Sequence, residues 1–473
     1  MKVGNINIQK SVEHVKALLE KDKNVSSSLQ AGIELLLLII SLLVDRLGVN
    51  SNNSSKPPSQ DPHREKKKKV GGQKNSGGQK GRKGSRLTLS ESPDRKVTLE
   101  LNAKQFPDHE YTLIGYERRQ VWDIDIQKMV TEYQAEVRVN SKGERFTADF
   151  PEGVTSQVQY GNTVKAHAVY LSQYQLLPYQ RVEEYFSDQI GIPLSQGSLY
   201  NFIQEAYKRL EPFESFAKET LQNSSLVHFD ETGVNLQGKN HWVHNASNQY
   251  CTWLYPHKKR GKEAMDDIGV LPKFKGTACH DFWKAYYQYK DCSHSLCNAH
   301  LLRELQRIYE VDHHSWARKM KFFLLGMEKQ RTKHGVFLKE KKENALKQYQ
   351  KILEQAQQES PPPTIQKGKR GRPKKTKARN LLERFQNHSH EILRFLFEED
   401  APFTNNLAER DLRMLKVQQK VSGCFRSLEG AKAYCRIRSF LSTARKQGEK
   451  ASYALEKLFQ GKLYELLNNF KLQ

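Results

Sequence analysis

The sequence predicts a multidomain α/β-plus-α protein, and three observations lead there. The chain has 473 residues, too many for one compact core, so two to four domains are expected. Between residues 224 and 310, short β-prone runs alternate with helix-like stretches. Helix-forming segments with apolar stripes flank that region on both sides.

The central region, 223–310, is read element by element. Ser225–Val234, His241–Asn245 and Tyr250–Tyr255 are predicted strands, with a hairpin loop near Asn245–Asn248. Lys262–Leu271 is a predicted helix, Gly276–His280 a fourth strand, His294–Cys297 a fifth, and Ala299–Glu310 a helix. The order expected is three strands, helix, strand, helix, strand, helix, that of a ribonuclease-H-like α/β core. Residues 311–403 read as a charged helical insertion, broken by Pro361-Pro-Pro363 and the basic stretch Lys367–Arg379. Residues 404–473 read as helices that complete the core.

Ahead of the core, residues 1–48 are helix-like, with Val12, Val15, Leu18 and Leu19 on one stripe and an apolar run from Leu35 to Val44. Such a stripe suggests oligomerisation, the alternative being packing onto the rest of the chain. Residues 49–90 turn to Asn, Ser, Pro, Gly, Gln and Lys, with Lys66–Lys69 a basic run and Gly-Gly-Gln-Lys occurring twice. That composition buries too little apolar surface to fold alone, so it predicts a flexible basic linker. Residues 91–153 alternate polar and β-prone residues, as in Met129–Val139, and predict a small antiparallel β unit. Residues 154–222 read as helices. Within them Arg181–Gln189, a Gly191-Ile-Pro-Leu turn and Ser195–Leu210 have helix–turn–helix spacing, with Ser195 as N-cap. A helical hairpin without a DNA-reading role fits the same spacing.

Charge narrows the partner. The 77 Lys and Arg against 53 Asp and Glu leave a formal net charge of +24, which favours a polyanion, nucleic acid before membrane. The Leu35–Val44 run is about half of the roughly 20 apolar residues a bilayer span needs. The amino terminus lacks a secretory pattern, and six irregularly spaced cysteines suit a reduced interior. A cytoplasmic, nucleoid-associated protein is expected.

Three acids stand out within that basic chain. Asp230 in Val-His-Phe-Asp-Glu-Thr and Asp281 in Cys-His-Asp-Phe-Trp follow apolar runs, where carboxylates project from the carboxyl edge of a sheet. Glu231 is the rival to Asp230, but consecutive strand residues face opposite ways, and Asp230 leaves Val227 and Phe229 on the core side. Glu409 opens a helix that Thr404 or Asn405 would cap. Arg413, Lys416 and Lys420 continue its face as a basic stripe, with Ala408, Leu412, Met414, Leu415 and Val417 turned to the core. Carboxylates converging in a basic protein predict a magnesium cage acting on nucleic-acid phosphate, with Asp230, Asp281 and Glu409 as ligands. Arg370-Gly-Arg-Pro373 suits an A·T-rich minor groove, its arginines entering beside the glycine. Cys297-Asn-Ala-His300 invites a zinc reading, but no second ligand pair is evident. Those two, with Arg303 and Asn406, are expected around the carboxylates as supporting residues.

The chain resembles the transposases of the insertion-sequence-66 family. The matching stretches are Asn53-Ser-Ser-Lys-Pro-Pro-Ser59, the Gly-Gly-Gln-Lys linker, Asp230-Glu-Thr, His280-Asp-Phe and Cys297-Asn-Ala-His. The most specific run from Arg370-Gly-Arg-Pro through Lys377-Ala-Arg-Asn-Leu-Leu382, Asn405-Asn-Leu-Ala-Glu-Arg and Lys420-Val-Ser-Gly-Cys-Phe-Arg-Ser to Ile437-Arg-Ser-Phe. The resemblance implies a DDE-type transposase with Asp230, Asp281 and Glu409 as its acidic triad. It would use two Mg2+ ions, with Mn2+ as a substitute, to cut element ends and join them to target DNA. Partners would be both DNAs, a homo-oligomer and accessory proteins of the same element, with no membrane. One departure is plain: family members often carry paired Cys-x-x-Cys motifs at the segment matching 90–150, where this chain has no cysteine. Either the β unit folds without metal or this copy has decayed.

Other classes remain at this stage. An inactive derivative that binds element ends as a repressor, and a ribonuclease-H-like nuclease without strand transfer, fit much of the pattern. An Asp-nucleophile phosphatase using Asp230 lacks the following Asp-x-Asp arrangement.

Overall fold

In the computed structural model the described residues are 2–3, 6–21, 25–47, 50, 53–54, 87–100, 114–363, 373 and 375–471. Nearly all of the basic linker, Arg370 and Arg372 lie outside them, so the minor-groove reading has no structural counterpart here.

The amino terminus forms a small pair of strands, β1 (Lys2–Val3) and β2 (Ile6–Asn7), and then two helices, not one. These are α1 (Ile8–Lys21) and α2 (Ser27–Leu47), which touch each other. The interruption includes Ser26, whose hydroxyl accepts from the Leu29 amide at 3.4 Å, a start signal for α2. Leu37 is buried, whereas Leu35, Leu36, Leu38, Ile39, Ile40 and Leu43 are exposed in the single chain.

Among the described residues of the expected β unit there is one hairpin, β3 (Val137–Val139) against β4 (Arg145–Thr147), turning through Asn140–Gly143. The rest of 114–150 has no regular structure, and Ile114, Val121, Ile124, Met129 and Val130 are exposed. Alternation alone does not build a sheet when no second layer covers its apolar face.

Four helices follow: α3 (Asn162–Val169), α4 (Tyr179–Tyr185), α5 (Gln196–Arg209) and α6 (Glu211–Gln222). A π-turn, Phe186–Ile190, extends α4 to Gly191, whose φ of +70° ends it in the left-handed region. The Ser195 hydroxyl then accepts from the Ser198 amide at 3.0 Å and caps α5, so the helix–turn–helix boundaries agree with the sequence reading. These helices share one apolar core with the central sheet and the carboxyl-terminal helices, through residues such as Phe202, Phe213, Trp253, Phe440 and Phe459.

The central sheet has five strands in the order β7-β6-β5-β8-β9. They are β5 (Leu226–Leu236), β6 (Lys239–Ser247), β7 (Thr252–His257), β8 (Thr277–His280) and β9 (Ser293–Leu296). The strands β5, β6 and β7 are antiparallel neighbours, while β5, β8 and β9 run parallel. Gln237 and Gly238, at φ +49° and +78°, make the two-residue β5–β6 turn that suits the twist of a hairpin. Gly276 is required for packing, since a Cβ there would meet the carbonyls of Ser224 and Ser225 at 2.5 Å. The helix α7 (Lys262–Ile268) connects β7 to β8. Between β8 and β9 the expected helix is absent; that connection holds a 3-10 turn at Tyr286–Gln288 within a cluster of aromatic residues.

After β9 come α8 (Asn298–Val311) and the insertion helices α9 (Ser315–His334), α10 (Lys339–Glu359), α11 (Lys377–Asn387) and α12 (Ser389–Phe397). They bury their own core, including Leu305, Trp316, Leu324, Tyr349 and Phe385. The chain ends in α13 (Asn406–Ser422), α14 (Leu428–Lys446), α15 (Ala451–Phe459) and α16 (Leu463–Asn468). Both sheet edges are covered. The Ser439 and Thr443 hydroxyls of α14 accept from the Leu254 and Thr252 amides of β7, at 2.8 and 3.0 Å. On the other edge Arg394 of α12 donates to the His294 carbonyl of β9 at 2.9 Å. Covered edges leave no ladder open to a stray strand.

Candidate active site

Strand register assembles the site. Paired residues His228 and Cys279 lie side by side on β5 and β8, as do Cys279 and Ser295 on β8 and β9. Carried two residues beyond those pairs, the same register brings Asp230, Asp281 and Cys297 level, and in a parallel sheet level residues share a face. That face is the one bearing His228. Asp281 immediately follows β8, as expected. Asp230 does not end its strand: β5 continues to Leu236 by pairing with β6, and its last residue also bridges to Phe425. What ends near Asp230 is the parallel half of the sheet, so the carboxylate still opens onto the edge.

Helix α13 is docked on this face by Asn405. Its side chain meets His228 Nδ1 at 2.8 Å and donates to the Phe229 carbonyl at 2.7 Å, and its amide donates to Cys297 Sγ at 3.1 Å. Asn405 stands at the N-cap position, yet its side chain makes no capping bond. It ties the helix to β5 instead. Asn245, cross-strand from Asp230, adds a bond to the Ala408 carbonyl at 3.2 Å. Glu409, one turn into α13, is thereby brought over the edge.

The acids interact. The Asp230 carboxyl is pushed well above its ordinary range, first by burial and then by the charges of Glu231, Asp281 and Glu409. It accepts one hydrogen bond, from the Glu231 amide at 2.9 Å. Asp281 accepts from the Trp283 amide at 3.0 Å. None of Asp230, Asp281 and Glu409 forms an ion pair among the described residues. One Glu409 oxygen, Oε1, is buried without a hydrogen-bond partner, and so is His300 Nδ1.

Glu231 lies on the opposite face with Val227 and Phe229, as strand alternation requires. Its side chain is only 2 % exposed and pairs with Arg260 at 2.6 Å. The Tyr286 hydroxyl donates to its other oxygen at 2.5 Å. Arg260 is itself stacked near Trp242 and Trp283, 4.8 and 4.2 Å from their ring centres. Burial and the Asp281 charge still raise the Glu231 carboxyl, against the pull of Tyr286 and Arg260.

The family comparison is decided over most of this region. A family model described as Transposase IS66 family matches residues 157–433, more than half of the chain. The chain belongs to the IS66 transposase family. A second model, of a family of unknown function (DUF6444), matches residues 4–88. No curated protein matches the chain. Among the described residues of this IS66 transposase, no helix is long and apolar enough to cross a membrane.

The remaining expected residues divide. Cys297 and His300 lie beside Glu409: their ligand atoms and a Glu409 oxygen are all within 4.8 Å of one another. Burial pushes the Cys297 thiol up to about 11. Arg303, one turn beyond His300, is half-buried on α8. Asn406 is exposed; the supporting asparagine is its neighbour Asn405, because the docking side chain must precede the helix to reach β5. Along α13, Ala408, Leu412 and Leu415 are buried and Met414 partly so, but Val417 is exposed because the underlying β5–β6 hairpin does not reach it. Arg413 and Lys420 are exposed, whereas Lys416 folds back to donate to the Gly233 carbonyl. Asn405 had a signal, its place ahead of an acid-bearing helix, but Arg260 and Tyr286 had none, since each is set by a loop conformation.

Proposed function

We propose that this IS66 transposase is a DDE-type polynucleotidyl transferase with a ribonuclease-H-like core, cutting element ends and joining them to target DNA. The observation that carries this reading is that the charges of Asp281 and Glu409, brought from β8 and α13, both act on the buried Asp230 carboxyl, two residues beyond the last β5–β8 pair. The sheet order and the helix packed over its carboxyl edge support it.

The donor set fits Mg2+, with Mn2+ as a substitute. Hard carboxylate oxygens suit these ions. The mutual repulsion that raises the Asp230 carboxyl is relieved by a cation. Asp230, Asp281 and Glu409 would hold two ions, which when bound supply an activated water or 3′-hydroxyl and stabilise the leaving oxygen of the scissile phosphate. The protein does the rest. Asn405 and Asn245 hold α13 against β5 and β6 and so fix Glu409 relative to Asp230. Arg260 and Tyr286 hold the Glu231 carboxylate on the opposite face, each bonded to one of its oxygens. Exposed Arg413 and Lys420 of α13 extend from Glu409 as phosphate contacts, and α5, whose Gln196, Tyr200 and Asn201 are exposed, is the candidate reading helix. The exposed leucines of α2 suit association with a second copy, which would bring two element ends together.

The test is a strand-transfer assay on DNA carrying the element's terminal repeats, with Mg2+. Wild type is expected to form joined product, and Asp281→Ala to bind the same DNA without joining it. Joined product from Asp281→Ala would overturn the assignment.

A further inference from the structure

The cluster of Cys297, His300 and Glu409 is left unexplained by a carboxylate magnesium site. Cys297 stands at the N-cap of α8, His300 is three residues into that helix, and Glu409 comes from α13, more than a hundred residues later. Their ligand atoms fall within 4.8 Å of one another, close enough for one ion to touch all three. Two of the three groups have buried atoms with no partner, His300 Nδ1 and Glu409 Oε1. A buried orphan costs roughly 1–3 kcal/mol, and a single ion in this cluster would give both of them a partner. The Asn405 amide donates to the sulfur at 3.1 Å, and the sulfur stands at the N-cap position of α8. Amides directed at a sulfur are the outer support that a metal-bound thiolate requires.

We propose that Cys297 Sγ, His300 Nδ1 and Glu409 form a site for a thiophilic divalent cation of the zinc type, distinct from the magnesium ligands except at Glu409. One sulfur, one imidazole nitrogen and one carboxylate oxygen make a soft donor set that magnesium does not favour and zinc does. Three protein ligands leave a fourth position open for water or a phosphate oxygen. Binding displaces the Cys297 thiol proton to solvent, and the cation occupies the space between His300 Nδ1 and Glu409 Oε1. The inference rests on the proposed function only in that Glu409 serves both sites; with two oxygens, it can offer one to each.

The test is titration of the purified, metal-stripped full chain with Co2+, read by the thiolate-to-cobalt charge-transfer absorption. Wild type is expected to develop that band with one Co2+ per chain and to lose it on addition of Zn2+. Cys297→Ser is expected to abolish the band, and His300→Ala to weaken binding by about tenfold or more. Asp281→Asn, outside the cluster, is expected to keep the band while losing DNA joining, which separates this site from the catalytic reading. Far-ultraviolet circular dichroism checks that each variant is folded. A wild type with no thiolate band, or a band that persists in folded Cys297→Ser, would overturn the site. A wild type that joins DNA with Mg2+ yet shows no band would do so while leaving the transposase reading intact.

Discussion

On the two faces of the sheet edge at residues 230 and 231, adjacent carboxylates are both raised by burial and by the Asp281 charge, but they have different partners. Glu231 has a guanidinium at 2.6 Å and a phenol hydroxyl on its other oxygen. Asp230 has neither, only a backbone amide and three neighbouring acids. The difference is imposed by strand alternation, which sends one side chain to the aromatic loop after β8 and the other under α13. It teaches that burial alone does not mark a metal ligand. A buried acid whose oxygens the protein has already bonded has little room for a cation, and one left with a single amide among like charges is open to it.

The sharpest way to break the comparison is on the Asp230 face. Asp281→Asn and Glu409→Gln are each expected to lower Mg2+-dependent cleavage by roughly a thousandfold or more, as removal of several kcal/mol of charge stabilisation implies. DNA affinity, measured by electrophoretic mobility shift, should stay near wild type in both. Asn405→Ala comes next. It strips partners from His228 Nδ1 and the Phe229 carbonyl, both buried, so a loss of roughly 2–4 kcal/mol is expected in urea unfolding. Cleavage should fall with it, because Glu409 loses its anchor.

A smaller effect concerns stability and has a definite sign. Asp230 has a raised carboxyl pKa in the fold, so the native state binds its proton more tightly than the unfolded chain. Its contribution therefore becomes unfavourable as pH rises from the ordinary carboxylate range, near 3.9, up through the raised value. Without divalent metal, Asp230→Asn is expected to raise the melting temperature at neutral pH by roughly 2–4 °C. Added Mg2+ should raise the wild-type midpoint and leave the variant nearly unmoved. A lower midpoint for the variant would contradict the crowding of charge on that face. The smallest effect is on DNA contacts. Arg413→Ala and Lys420→Ala should each reduce the salt dependence of binding by about one phosphate contact. Lys416→Ala should change it less, since its ammonium is held by the Gly233 carbonyl.

Much of this was legible in the residues, for physical reasons. The five strands lie within two or three residues of their expected positions because apolar runs bounded by Gly, Asn and Pro carry both period and punctuation. Period two separates Asp230 from Glu231, and the preference for Asp230 rested on Val227 and Phe229 taking the other side as core residues. What failed depended on tertiary partners. The Met129–Val139 pattern alternates like a strand, but no layer covers it. The segment after Asp281 looked long enough for a helix, yet Trp283, Tyr286, Tyr287 and Tyr289 pack as a compact aromatic loop. Asn406 was expected where Asn405 acts, a one-residue phase that depends on where α13 meets β5. Cys297 and His300 were expected around the carboxylates and do lie beside Glu409; only their close grouping with that one acid had no local pattern.

The central claim is that Asp230, and not Glu231, holds the catalytic cation. It is tested most directly by comparing Asp230→Asn and Glu231→Gln in one Mg2+-dependent cleavage assay on terminal-repeat DNA, each variant first shown to be folded. The account predicts no detectable cleavage by Asp230→Asn and activity within about tenfold of wild type for Glu231→Gln, the cost of one charged hydrogen-bond network outside the site. Cleavage by Asp230→Asn, or its complete loss in a folded Glu231→Gln with Asp230 intact, would contradict it.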